Sequence, residues 1–135
     1  MAAAADFDII IIDDEPSITE IFEQYIMIKY KHWRVCTYNN STELFEAISR
    51  REVYSNVWII DIMMPHKNGV DIAAAIRQYH GEKPVVLAFT ALERRVIETD
   101  PKYAWGVKHF NRFLSKRDEF SSILSLVDIW VEQAR

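Results

Sequence analysis

Two apolar segments of the chain end directly at aspartates. Residues 7–12 contain four consecutive isoleucines and are followed by Asp13 and Asp14, and residues 57–60 are followed by Asp61. Strands that are apolar along their length are typical of the middle of a parallel sheet, where both faces are buried. If the two strands are neighbours, the three carboxylates meet at the carboxyl edge of the sheet, where open α/β sheets bind their ligands. Clustered carboxylates repel one another unless a cation lies among them, so the pattern predicts a Mg²⁺ site.

Length and composition limit the classes of protein to which the chain can belong. Its 135 residues are enough for one domain with a substantial core, and its net charge of -4 gives no broad basic surface for nucleic acid. The single cysteine, Cys36, excludes an internal disulfide and fits a reducing compartment. No segment is long enough to span a membrane, and residues 1–5 are too short for a signal peptide. We therefore expect a single cytoplasmic domain over residues 1–135, with residues 1–5 as a disordered lead-in.

Strand patterns alternate with helical periodicity along the chain. The strand patterns cover residues 7–12, 33–38, 57–60, 85–89 and 110–114. Five segments have helical periodicity. The first follows Ser17, a predicted N-cap, and the second follows the turn at residues 39–42. The other three extend from 70 to about 80, from 92 to about 100 and from 118 to about 132. The second and fifth strands are short and mixed, as is typical of sheet edges. Strict alternation of five strands and five helices predicts a doubly wound, flavodoxin-like α/β fold with parallel strand order 2-1-3-4-5.

Two more polar residues fall at the same edge of the predicted sheet, because Thr90 ends the fourth strand and Lys116 follows the fifth. Together with the three aspartates they resemble the functional set of the receiver domains of two-component response regulators. The most specific part is DIMMPHKNG at residues 61–69, in which proline follows the aspartate at the fourth position and glycine at the eighth. The resemblance extends over residues 7–134.

The resemblance implies a phosphorylation chemistry and a donor. Asp61 would accept a phosphoryl group from the phosphohistidine of a sensor histidine kinase or a histidine phosphotransfer protein. Lys116 would neutralise a phosphoryl oxygen, and the Thr90 hydroxyl would donate a hydrogen bond to the group after transfer. The chain would then catalyse only its own phosphorylation and dephosphorylation, and would not be an enzyme for other substrates.

The resemblance also assigns the metal ligands. Mg²⁺ would be bound directly by Asp14 and Asp61, through water by Asp13, and by the main-chain carbonyl of Met63.

A switch and a signalling surface are further implications of the resemblance. Movement of Thr90 toward a phosphoryl group would vacate space for Phe113, although an aromatic residue in a strand is equally typical of a core. The face formed by the fourth helix, the fifth strand and the fifth helix would then change. Leu126, Ile129 and Trp130 lie outside the apolar stripe of the last helix. They predict an output partner or a homodimer contact on this face, or packing onto a downstream domain.

Three features depart from the family pattern. Arg117 replaces the usual proline after the lysine, so the peptide bond before it is either trans or an unusually strained cis bond. Residues 103–108 form a bulky insertion that either packs Trp105 into the domain or changes the choice of partner. Met63 and Leu92 flank the expected path of the hydrolytic water without a group that can position it, which predicts slow self-dephosphorylation.

Two alternatives to a phosphoacceptor domain stay open. A phosphatase or phosphotransferase of the dehalogenase type also uses an aspartate at a strand end, but it needs a second acid two residues on, where this chain has Met63. A receiver-like scaffold that binds partners without phosphorylation is the other alternative, and Arg117 and the insertion are the features in its favour.

Overall fold

The computed structural model describes residues 5–135 and contains one five-stranded parallel sheet. The strands are β1 (Ala5–Ile12), β2 (Val35–Tyr38), β3 (Val53–Asp61), β4 (Val85–Thr90) and β5 (Arg112–Ser115). Their order is β2-β1-β3-β4-β5, which confirms the predicted topology and places the two mixed strands at the edges. Most of the expected lead-in lies outside the described residues, but Ala5 belongs to β1 and pairs with Val53.

Within residues 5–135, six α-helices connect and cover the strands, one more than predicted. They are α1 (Pro16–Lys29), α2 (Ser41–Ser49), α3 (Gly69–His80), α4 (Arg94–Thr99), α5 (Pro101–Ala104) and α6 (Phe120–Ala134). A short 3-10 helix, Val107–His109, precedes β5. The additional helix, α5, starts because Pro101 suits a first helical turn and the Asp100 side chain accepts a 2.9 Å hydrogen bond from the N–H of Lys102.

The start of α1 differs from the prediction. Pro16 is the first helical residue and Glu15 is the N-cap, without a side-chain hydrogen bond to the helix. The fixed φ of proline suits this position, where the missing N–H needs no partner, so Ser17 lies inside the helix rather than capping it. α4 also starts two residues later than predicted, at Arg94, with Glu93 as its N-cap.

The core consists of two layers, one on each face of the sheet. β1 contributes Ile9 and Ile11 to one layer and Ile10 and Ile12 to the other, and all four are buried, as expected for an interior strand. Helices α1 and α6 pack on the Ile9 face. Residues from α2, α3, α4 and α5 pack on the Ile10 face. No helix among residues 5–135 has both the length and the apolar character needed to cross a membrane.

The outer residues of α6 are less exposed than predicted. Leu126 and Trp130 are half-buried and pack against the same core layer as the main stripe of the helix, and only Ile129 is largely exposed, at 55%. Long side chains at the border of a stripe cover the edge of the core, so two of the three residues expected in a contact surface are already packed within the domain.

Candidate functional site

Three carboxylates meet at the carboxyl edge of the sheet. The parallel register pairs Ile12 of β1 with Ile60 of β3, so Asp13 and Asp61 leave neighbouring strands at the same level. One carboxylate oxygen each from Asp13, Asp14 and Asp61 lies within 4.8 Å of the others. Asp13 and Asp61 are buried and Asp14 is exposed, so the cluster is open to solvent on one side. This is the convergence that the ends of the apolar strands predicted.

Lys116 supplies a positive charge to the cluster from the loop after β5. Its Nζ lies 2.9 Å from Asp13 Oδ2 and 3.4 Å from Asp61 Oδ1. The N–H of Lys116 donates to the carbonyl of Thr90 at 3.0 Å, which holds the loop against β4. Burial alone lowers the pKa of Lys116, but the neighbouring carboxylates of Asp13 and Asp61 outweigh burial and raise it. The ammonium therefore stays charged.

The carboxyl group of Asp61 has a strongly perturbed pKa. Burial, reinforced by the negative charge of Asp13, raises the pKa of Asp61 from 3.8 to about 7, although Lys116 opposes the shift. A carboxylate in this environment favours any additional positive charge, whether a proton or a cation.

The donor atoms fit a hard divalent cation. Asp13 Oδ1 accepts a 2.9 Å hydrogen bond from the N–H of Glu15. Asp13 Oδ2 is buried and accepts no well-aligned hydrogen bond, even though Lys116 Nζ is near. Three carboxylates with one ammonium leave an excess of negative charge, and oxygen ligands of this kind suit Mg²⁺. The residues present therefore match the group that the sequence predicts.

Gly69 allows the loop after Asp61 to close tightly. A side-chain carbon at this position would lie 2.8 Å from the Cα of Ile62 and would overlap the carbonyl oxygen of Asp61. The N–H of Gly69 donates to the carbonyl of Ile62 at 2.9 Å, and Asn68 caps α3 through the N–H groups of Val70 and Asp71. Close approach of two backbone segments is a physical reason for the glycine in DIMMPHKNG.

Thr90 and Phe113 border a cavity of about 200 Å³, together with residues that include Leu92, Arg94 and Arg117. Thr90 is buried, and its Oγ1 accepts a 3.0 Å hydrogen bond from Leu92. Phe113 is half-buried, and the Arg94 guanidinium lies 4.7 Å from the centre of its ring. The two residues predicted to form a switch thus share one cavity, and Arg94 is a partner that the sequence did not indicate.

The peptide bond between Lys116 and Arg117 is trans. No peptide bond among residues 5–135 is cis, which includes the bond before Arg117. The N–H of Arg117 donates to Ser115 Oγ at 3.1 Å, and the N–H of Ser115 donates to Asp118 Oδ2 at 3.3 Å. Hydrogen bonds from backbone N–H groups to the side chains of Ser115 and Asp118 therefore stabilise this turn in the absence of a proline.

The insertion packs into the domain through Tyr103, and not through Trp105 as one of the two predicted alternatives required. Tyr103 is buried in the core layer under α3, whereas Trp105 is 53% exposed. The Trp105 indole donates to the carbonyl of Lys102 at 3.1 Å, which keeps the ring on the outside of α5. Met63, on the loop after Asp61, also has an exposed side chain.

Arg77 is a structural residue that sequence reasoning missed. Its side chain, only 6% exposed, donates to the carbonyls of His109, Gly81 and Pro84 and to the side chain of Asn111. These contacts fasten the end of the insertion to α3 and to the start of β4. No sequence signal distinguishes this arginine, because its partners are brought together only by the fold.

Comparisons with known proteins agree with the geometry. Residues 9–128 match the family described as response regulator receiver domain. The response regulator SaeR of Staphylococcus aureus is 32% identical over 96 residues, covering 71% of this chain but only 38% of that protein. The chain therefore spans well under half the length of this curated relative.

Solved structures show the same fold. A receiver domain of a Francisella response regulator has a TM-score of 0.74 at 16% identity, covering 97% of this chain and 99% of that one. The response regulator TrrA of Thermotoga maritima, solved in complex with Mg²⁺ and BeF, has a TM-score of 0.69 at 21% identity, with coverages of 93% and 98%. Since the family match covers most of the sequence and the strand order and acidic cluster agree with it, the chain belongs to the response regulator receiver domain family.

Proposed function

We propose that the chain is a phosphoacceptor domain of a two-component or phosphorelay system, in which Asp61 receives a phosphoryl group from a phosphohistidine. The donor would be a sensor histidine kinase or a histidine phosphotransfer protein. The observation that carries this proposal is the position of Lys116, whose Nζ lies within 3.4 Å of both Asp13 and Asp61, two members of a three-carboxylate cluster. Clustered acids beside one ammonium are suited to binding a cation and a phosphoryl group together.

The reaction is a substitution at phosphorus. A carboxylate oxygen of Asp61 forms a P–O bond while the P–N bond of the donor breaks, and the imidazole leaves with the electron pair of that bond and takes up a proton from solvent. Asp61 must be ionised to attack, and its pKa of about 7 leaves much of it ionised at neutral pH. Mg²⁺ among the carboxylates would favour the ionised form and neutralise charge on the phosphoryl oxygens.

The chain's own residues supply the remaining charge and orientation. Lys116 Nζ, 3.4 Å from Asp61 Oδ1, is within reach of an oxygen of a phosphoryl group carried by Asp61. The Thr90 hydroxyl accepts a hydrogen bond from Leu92 and keeps its own proton available for a phosphoryl oxygen. Asp14 and Asp61 would bind Mg²⁺ directly, Asp13 through water, and Met63 through its carbonyl.

We further propose that phosphorylation changes the face formed by α4, β5 and α6, where α6 is the last helix, predicted as the fifth. An inward rotation of Phe113 would fill the cavity beside Thr90, and it would separate the ring from Arg94 on α4. This change would alter a surface that meets an output partner or a second copy of the chain, and exposed Ile129 on α6 is available for that contact.

Beryllofluoride binding tests the phosphoacceptor role without a cognate donor. Amide spectra of the wild type in Mg²⁺ should shift on addition of beryllofluoride, with saturation, around Asp61 and Thr90. Asp61→Asn should abolish the shift, whereas Asp6→Asn, an exposed aspartate at the opposite end of the sheet, should retain it. No shift in the wild type would contradict the proposal and support a scaffold that works without phosphorylation.

A further inference from the structure

The turn between β2 and α2 and the first residue of α2 together contact the two loops that carry the acidic cluster. The side-chain amide of Asn39 donates to the carbonyl of Asp13 at 2.8 Å and to Thr19 Oγ1 at 2.9 Å. Thr19 is buried in α1 and donates its own hydroxyl to the carbonyl of Pro16 at 3.1 Å. One amide group therefore ties the end of β1 to the first turn of α1, across the loop that contains Asp14.

These contacts determine how the Asp13 carboxylate is presented. The N–H of Asp13 donates to the carbonyl of Tyr38 at 3.2 Å, its carbonyl accepts from Asn39, and its Oδ1 accepts from Glu15. Only Oδ2 has no well-aligned hydrogen bond, and it is the oxygen nearest Lys116. Because hydrogen bonds hold the N–H, the carbonyl and Oδ1 of Asp13, its Oδ2 is directed toward the cluster.

The first residue of α2 holds the loop that follows Asp61. Ser41 is buried, and its Oγ donates to the carbonyl of Pro65 at 2.9 Å. The next residue, His66, has a φ of +66°, a conformation that residues other than glycine seldom adopt. A strained backbone of this kind persists only where its surroundings hold it, and the Ser41 hydrogen bond is adjacent to it.

We propose that Asn39, in the turn after β2, and Ser41, the first residue of α2, are positioning residues for the metal site. Asn39 acts on the loop of Asp13 and Asp14, and Ser41 acts on the loop after Asp61. This inference rests on the proposed function, because it assumes that the cluster binds Mg²⁺. Neither residue belongs to the carboxylate cluster that would hold the cation. Their effect is to limit the relative movement of two loops whose carboxylates must converge, and outer hydrogen bonds of this kind tune the affinity of metal sites.

Mg²⁺ titrations followed by amide spectra, with thermal unfolding of the metal-free proteins, separate positioning from simple stabilisation. Asn39→Ala should weaken Mg²⁺ binding by about tenfold, and Ser41→Ala should weaken it in the same direction. Asn40→Ala is the matched control, because Asn40 lies between them and its side chain hydrogen-bonds the N–H of Glu43 in α2 rather than either loop. It should lower thermal stability and leave the Mg²⁺ affinity within about twofold of the wild type.

The outcomes distinguish this inference from the proposed function. Unchanged Mg²⁺ affinity in both Asn39→Ala and Ser41→Ala would overturn the positioning role alone, and so would an equal loss in Asn40→Ala. A wild type that does not bind Mg²⁺ would overturn both proposals. If Asn39→Ala fails to fold, Asn39→Leu, which keeps the size of the side chain without its donor, serves in its place and should show the same loss of affinity.

Discussion

Oδ2 of Asp13 and Nζ of Lys116 lie 2.9 Å apart at the carboxyl edge of the sheet. The ammonium reaches Asp61 as well, so it is shared between two buried carboxylates that would otherwise repel each other. The position of Lys116 therefore has two consequences that can be measured separately. Its charge stabilises the metal-free fold, and because one ammonium does not neutralise three carboxylates, the cluster can still bind a cation.

Loss of Lys116 should destabilise the metal-free protein. Lys116→Met keeps most of the side-chain stem and removes the charge, which leaves Asp13 and Asp61 without their counter-charge. We expect the free energy of unfolding in chelator at pH 8 to fall by about 2 kcal/mol, a value discounted for the partial exposure of the lysine. Saturating Mg²⁺ should recover part of the loss. Denaturant unfolding of Lys116→Met, with exposed Lys83→Met as the control, checks the prediction; equal effects in the two variants would contradict it.

The raised pKa of Asp61 predicts a pH-dependent stability with a definite sign. Between the unfolded pKa of 3.8 and the folded pKa of about 7, the folded chain keeps a proton that the unfolded chain has released. The contribution of Asp61 to the free energy of unfolding should therefore fall as the pH rises through this range, and level off above it.

Asp61→Asn isolates this contribution because asparagine does not ionise. In the absence of Mg²⁺, the variant should exceed the wild type in stability by a few kcal/mol at pH 8, and the difference should shrink as the pH is lowered toward 4. Unfolding curves across this range provide the measurement, with Asp6→Asn as a control. A difference that does not change with pH would show that the carboxyl group has an ordinary pKa.

The sheet and the acidic cluster were predictable because their signals are local in the sequence. The apolar runs before Asp13 and Asp61 indicate interior strands, and the mixed composition of β2 and β5 indicates edges. Once the strand order is fixed, parallel strands deliver their carboxyl ends to one edge, so residues remote in sequence converge without any knowledge of side-chain contacts.

The parts that escaped prediction depend on contacts between distant residues. α5 has only four residues, too few for a helical period, and it follows α4 directly at Pro101. The turn at residues 39–41 has the composition of any polar turn, and only the fold shows that Asn39 and Ser41 reach across to other loops. Arg94 is likewise an ordinary helix residue until β5 brings Phe113 beneath it.

Arg94 should hold Phe113 in its present position. Its guanidinium lies over the ring, and this cation–π contact favours the half-buried rotamer by about 1 kcal/mol. Arg94→Met should shift the population of Phe113 toward the cavity beside Thr90 even without a phosphoryl group. Nuclear Overhauser contacts between the Phe113 ring and the Thr90 methyl group should then strengthen.

Glu98→Gln is the control for this prediction, because it removes the 2.7 Å ion pair of Arg94 and leaves the ring contact in place. It should change the Phe113 contacts little. If Arg94→Met leaves the Thr90–Phe113 contacts as in the wild type, Arg94 does not determine the position of the ring.

Met63 should make the phosphorylated form long-lived. Its side chain is 52% exposed on the loop after Asp61 and has no group that could orient a hydrolytic water. Met63→Asn should shorten the half-life of the phosphorylated protein by about tenfold, because an amide can position the water by a hydrogen bond. Met27→Asn, a change of the same type on the exposed face of α1, should have no effect. Equal half-lives in the wild type and Met63→Asn would refute the prediction.

The central claim is that Asp61 forms an acyl phosphate in this pocket, and mass spectrometry after incubation with Mg²⁺ and phosphoramidate tests it most directly. Phosphoramidate is a small donor whose P–N bond resembles that of phosphohistidine. We expect one phosphoryl group per chain, located by fragmentation on Asp61, and its absence in Asp61→Asn or in the presence of a chelator. A phosphoryl group on another residue, its retention in Asp61→Asn, or an unmodified wild type would contradict the account.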